Sequence, residues 1–142
     1  MTTSTPQPRN LWLAFGLVAV LGLSAGNQLN AQADGMPNLA GTWTWTWKDG
    51  TGNTHRHVLE VEGTGTKLAA REIFDDQEPV RVGKLVLDGK SVKFTVMRGQ
   101  NKSDYNGKVA DADHINGTVV VTTNGQATEF PWKAERRKDI PK

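Results

Sequence analysis

From position 39 onward the chain alternates. In Leu39-Ala40-Gly41-Thr42-Trp43-Thr44-Trp45-Thr46-Trp47, single threonines separate three tryptophans. Successive strand side chains point to opposite faces, so the three indoles share one face and the threonines the other. A helix would scatter them around its axis. Each indole removes roughly 150–250 Å² from water. At ~25 cal/mol/Å² this face is worth several kcal/mol, and the rest of the chain must supply a cover for it.

The same period recurs downstream. Residues 54–62 put His55, His57, Leu59 and Val61 on one face and Arg56, Val58, Glu60 and Glu62 on the other. Residues 91–98 turn Val92, Phe94 and Val96 inward. Tyr105, Gly107 and Val109 share a face, as do Ile115, Gly117, Val119 and Val121, and then Thr128, Phe130, Trp132 and Ala134. Between residues 80 and 87 the phase breaks: Val80 and Val82 are followed by Leu85 and Leu87, and a bulge at Gly83-Lys84 would account for it. Residues 66–74 would also suit a helix, but an apolar run between Gly-rich and Asp-rich turns reads better as a strand. Turn signals recur about every ten residues, with Asp88-Gly89 and Asn124-Gly125 the strongest hairpin marks. Pro131, inside the last strand, has no N–H to give a ladder and suits an edge or a bulge. The expected fold is all-β: an eight-stranded antiparallel up-and-down barrel over residues 39–137, with a tail at 138–142.

The first 33 residues follow a different pattern. Arg9 is the only charge before a continuous apolar run at 11–23, which is followed by Ala31-Gln32-Ala33. A basic start, an apolar stretch of about 7–15 residues and an A-x-A triplet read as a secretory signal peptide. Cleavage is expected after Ala33, giving a secreted or periplasmic protein without stable membrane insertion. Residues 34–38 form an extended lead-in shaped by Pro37. The chain contains no cysteine, so the domain must be held by its core alone. Arg9 is one of the 17 basic residues, which leaves 16 in the mature part against 15 acidic ones. That balance argues against a nucleic-acid surface.

Gly41-Thr42-Trp43 resembles the G-x-W motif that opens the first strand of lipocalin-type barrels, in the wider calycin group. In lipocalins an arginine after the last strand packs on that tryptophan, and here Arg136 or Arg137 stands at the matching place. The resemblance covers residues 39–137. It implies a barrel plugged at one end by an indole under a guanidinium, with Gly41, Trp43, Trp132 and one of the two arginines as its structural residues. Only five residues follow Arg137, too few for the helix that lipocalins carry there. The polar biotin-binding set of avidins is not matched, so no cofactor is carried over.

Chemistry is sparse. No nucleophile elbow, zinc-protease helix or phosphate-binding loop is present, and no enzyme activity is expected. His55 and His57 share a strand face as in some metal sites, but His114 is remote in sequence and zinc needs three or four ligands; no metal site is expected. Asp75, Asp76 and Glu78 lack calcium-loop spacing and read as a solvated loop. The tryptophans read first as core and second as the lining of a small apolar cavity. The expected function is therefore a non-enzymatic barrel that binds a small apolar or amphipathic ligand, with Trp45, Trp47, His55 and His57 as its contacts. The alternative is a protein-binding module, such as an inhibitor of a secreted hydrolase, that reaches its partner through residues 34–38.

Overall fold

The computed structural model describes residues 35–138. The expected signal peptide, its cleavage point and the last four residues of the tail lie outside them. Nine strands follow one another: β1 (Gly41–Lys48), β2 (Thr54–Thr64), β3 (Lys67–Phe74), β4 (Val80–Arg81), β5 (Gly83–Asp88), β6 (Ser91–Arg98), β7 (Asn101–Val109), β8 (His114–Thr123) and β9 (Gln126–Arg136). They form a single antiparallel sheet in the order β4-β3-β2-β1-β9-β8-β7-β6-β5, a nearly closed up-and-down barrel. Residues 67–74 are a strand, as their flanking turns suggest, and no helix occurs among the described residues.

The count of eight needs correction, and the physical reason lies in the phase break at residues 80–87. β4 pairs with β3 and β5 pairs with β6, so one stretch of chain crosses from one edge of the sheet to the other. Val82, between them, still donates its N–H to Ala70 O at 2.9 Å. The β5–β6 register slips between Gly83 and Val86, and Lys84 takes a positive φ of 49°. A bulge at Gly83-Lys84 thus re-aims the strand. The β8–β9 hairpin turns on Asn124 (φ 51°) and Gly125 (φ 78°), both left-handed as a two-residue type I′ loop requires.

The inward residues are those of the alternation: Trp43, Trp45, Leu59, Val61, Val92, Phe94, Val96, Tyr105, Val109, Ile115, Trp132 and Ala134 are all buried. One end is plugged. Arg136 Cζ stands 4.2 Å above the Trp43 ring. Its Nη1 donates to Ala40 O at 2.5 Å, its Nη2 to Asn38 O at 2.6 Å and its Nε to Ala112 O at 2.8 Å. The Trp43 indole N–H donates to Leu39 O at 2.9 Å. Gly41 has φ 126°, and a Cβ there would stand 2.7 Å from Arg136 Nη1. Of the two candidate arginines it is Arg136 that covers the indole. Arg137 is exposed and contributes its backbone N–H to Thr42 O at 2.8 Å.

Candidate functional site

At the other end the barrel is hollow. A cavity of about 770 Å³ lies among the inward side chains and opens toward Trp47 and Phe130. Its position follows from how the two seams of the sheet close. β9 is paired with β8 from Gln126 to Glu135, but with β1 only at Trp43↔Arg136 and Thr44↔Glu135. Beyond Thr44 the two strands part. Pro131 sits on this diverging stretch, where its missing N–H costs no β1 ladder bond. The opposite seam, between β3 and β6, is closed by a side chain. Arg98, in phase with Phe94 and Val96 on β6, reaches across to Glu72 on β3. Its Nε and Nη2 donate to Glu72 Oε2 at 3.0 and 2.8 Å, and Nη2 also donates to the Glu72 carbonyl at 2.9 Å.

Among the described residues Glu72 is the one charged side chain of the buried core, 1 % exposed. A buried carboxylate is tolerated only when paired and hydrogen-bonded. Arg98 satisfies one oxygen; the other accepts from His57 Nδ1 at 2.6 Å. Because a carboxylate only accepts, His57 carries a proton on Nδ1. Its Nε2 has no partner among the described residues and belongs to a ring that lines the cavity.

Along this wall the aromatic rings form a continuous run, stacked at every step but Phe74–His57, where the planes tilt by 56°. Trp47 and His55 lie 5.0 Å apart between centroids, His55 and Phe74 5.2 Å, Phe74 and His57 4.9 Å, and His57 and Trp45 4.9 Å at an interplanar angle of 5°. The register explains the order: Trp47 pairs with His55, Trp45 with His57, and His57 with Phe74. The floor is a cluster of Trp45, Tyr105, Phe94 and Trp132: Phe94 and Tyr105 stack at 4.4 Å between centroids, and the other pairs meet edge to face at 5.1–5.6 Å. Burial, with Glu72 nearby, raises the Tyr105 phenol pKa, so it stays protonated. Trp132 is 2 % exposed, and its indole N–H finds no acceptor among the described residues. The six-membered edge of that indole lies against Gly107, where a Cβ would come 2.7 Å from Cζ3. The N–H is therefore on the edge turned away from Gly107.

At the rim His55 is bridged by two acids, with Nδ1 2.6 Å from Asp75 Oδ2 and Nε2 3.3 Å from Asp49 Oδ2. These contacts, Asp75 first, raise the His55 pKa. His55 in turn lowers that of Asp75, and hydrogen bonding led by Thr51 lowers that of Asp49. Asp75 also accepts from the Arg56 N–H at 2.7 Å, and Asp76 pairs with the Arg56 guanidinium. The acidic turn is thus held to β2, where the sequence suggested a solvated loop.

Of the four expected ligand contacts, Trp45, Trp47 and His57 border the cavity, as does Trp132; His55 does not, its ring being held between Asp75 and Asp49. Nor does His114. It sits near the plugged end, bonded to Asp111 at 2.8 Å. Among the described residues no group of three or more His, Asp or Glu side chains is placed to hold a metal ion. Glu72, Phe74 and Arg98 were not singled out from the sequence, although strand parity contains them. Leu68, Ala70, Glu72 and Phe74 alternate inward, and Arg98 continues the phase of Val92, Phe94 and Val96. An inward carboxylate and an inward guanidinium in one barrel are each other's natural partners.

Comparison with family models, curated proteins and solved structures yields no match to this chain.

Proposed function

We propose that this protein is a secreted, non-enzymatic, lipocalin-like barrel that binds one small apolar or amphipathic molecule at its open end. The observation that carries the reading is the cavity of about 770 Å³ with an aromatic wall and floor. Its size is in the range of sites for small organic ligands, which are mostly apolar with a few placed polar groups. Here the polar groups belong to His57 and Tyr105, whose rings border the cavity. The lipocalin likeness is supported by Gly41, Trp43 and Arg136, which occupy one plug at the closed end and leave the other end free for a ligand. The leader at 1–33 supports export, and the mature protein from its native source is expected to begin at Asp34, which N-terminal sequencing checks.

The ligand reading is tested by tryptophan fluorescence. Trp45, Trp47 and Trp132 line the cavity, so a bound molecule must change their emission. Titration with a panel of apolar and amphipathic compounds is expected to give a saturable change of one-to-one stoichiometry with at least one of them. Emission unmoved across the whole panel would refute the reading.

A further inference from the structure

We infer that the ligand is a flat aromatic acid, with its rings against the stacked wall and its anionic group at the open seam between β1 and β9. This rests on the ligand-binding reading above and narrows it to a chemical class.

The flatness follows from the wall. Of the five rings running from Trp47 to Trp45, four (Trp47, Phe74, His57 and Trp45) border the hollow space, where they are joined by Phe130, Tyr105 and Trp132; His55 lies between Trp47 and Phe74 without bordering it. Stacking rewards planar π-systems; for a flexible alkyl chain, burial alone counts and the ring order is irrelevant. The charge follows from a census of the lining. The charged side chains that border the cavity are Lys48, Arg98, Lys133 and Glu72. The single acid is spent: both Glu72 oxygens are occupied by His57 and Arg98. Asp49 and Asp75 at the rim are likewise engaged by His55. No free carboxylate therefore borders the cavity to receive a cation, whereas two exposed lysines, Lys48 and Lys133, stand at its edge.

The place follows from strand parity. Lys48 and Lys133 alternate with the inward residues Trp47, Trp132 and Ala134, so in a closed barrel both would point away from the interior. They border the cavity because β1 and β9 separate beyond Thr44 and Glu135. One lysine stands on each side of that gap, Lys48 on β1 and Lys133 on β9, and neither has an acidic partner among the described residues, whereas Lys102 and Lys138 do. An anion in the gap would meet an ammonium from each strand.

Calorimetric titration of the full-length purified protein with three probes tests this: naphthoate (flat, anionic), naphthylmethylammonium (flat, cationic) and dodecanoate (anionic, not flat). Naphthoate is expected to bind about tenfold or more tighter than either of the others. In the double variant Lys48→Gln/Lys133→Gln its advantage over the cation is expected to vanish. Both lysines are exposed, so the fold should survive the exchange. Equal affinity for naphthoate and its cationic counterpart would overturn the anion site, and so would an advantage that survives in the double variant. Dodecanoate binding as tightly as naphthoate would overturn the flat-ligand class. Each of these results leaves the broader ligand-binding reading standing. Saturable binding by none of the three overturns this inference, while the wider panel still decides the broader reading.

Discussion

At the scale of single residues, two arginines do different work, and each can be removed to show it. Arg98 is the counter-ion of a carboxylate that is 1 % exposed. Arg98→Met leaves Glu72 charged, buried and held by His57 alone, which should cost about 3–5 kcal/mol. Glu72→Gln in the same background should restore part of that loss, because it removes the stranded charge. Chemical denaturation of the single and double variants checks both. Arg136 spends its guanidinium on three carbonyls and the Trp43 ring. Arg136→Ala should therefore cost about 3 kcal/mol from charge-assisted bonds and cation–π contact, while Arg137→Ala stays within about 0.5 kcal/mol. Equal effects of the two alanine variants would contradict the assignment of the plug to Arg136. Sequence alone narrowed this contact to two neighbours and no further, because successive residues at a strand end point to opposite sides and the exact end of β9 decides between them.

At the scale of elements, the hinge of the open end is the His55 bridge. It ties the β1–β2 loop, through Asp49, to the β3–β4 turn, through Asp75. Both ring nitrogens face carboxylates, so both contacts are made as hydrogen bonds only when the ring is protonated. The folded-state pKa of His55 is raised above its ordinary 6.5, first by Asp75 and then by Asp49. Its contribution to stability is therefore complete below about 6.5 and is lost as pH rises through the folded value. Asp49 and Asp75 are shifted down, so their contribution is present above the ordinary carboxylate range, near 3.8, and is lost as pH falls through the lowered values. The bridge should be strongest between these limits. The stability deficit of His55→Gln relative to the natural chain is expected to be larger at about pH 5.5 than at about pH 8.5; denaturation midpoints at the two values check this. A deficit independent of pH would mean that the ring acts only through stacking on Trp47 and Phe74. The alternation placed His55 and His57 on the inner face correctly. It could not supply their partners, since Asp49, Glu72 and Asp75 come from different elements. The split of β4 from β5 was visible only as a phase break, because a bulge and a change of partner strand disturb the period alike.

At the scale of the molecule, the barrel has one closed end and one hollow end, and the difference comes from side-chain size and seam closure. Trp43, Leu59, Ile115 and Ala134 are buried; they belong to the end where Arg136 seals the top and β1 meets β9. Toward the mouth β1 and β9 part, the inward positions of β8 and β9 become Val121, Thr123 and Thr128, and nothing of the core's bulk crosses the interior. Up-and-down topology was legible from turn spacing and period. Whether the interior is filled was not, because volume depends on where rings lie across a barrel and not on their number. Trp132 shows this: it fits only because Gly107, on β7 beyond β8, leaves room, and Gly107→Ala would press a Cβ to 2.7 Å from its ring and 3.1 Å from Asn116 O. A bound ligand should also stabilise the whole fold, by about 2.7 kcal/mol at a hundredfold excess over its Kd.

The central claim, that the hollow end is a ligand site, is met most directly by native mass spectrometry of the protein with the panel of apolar and amphipathic compounds, beside a variant whose cavity is filled. Val121 is half-buried and borders the cavity, so Val121→Trp should occupy it while the plugged end keeps the barrel folded. A single one-to-one adduct on the natural chain, absent from a folded Val121→Trp protein, is the result expected. An adduct equally abundant on the filled variant, or none on the natural chain, would contradict it.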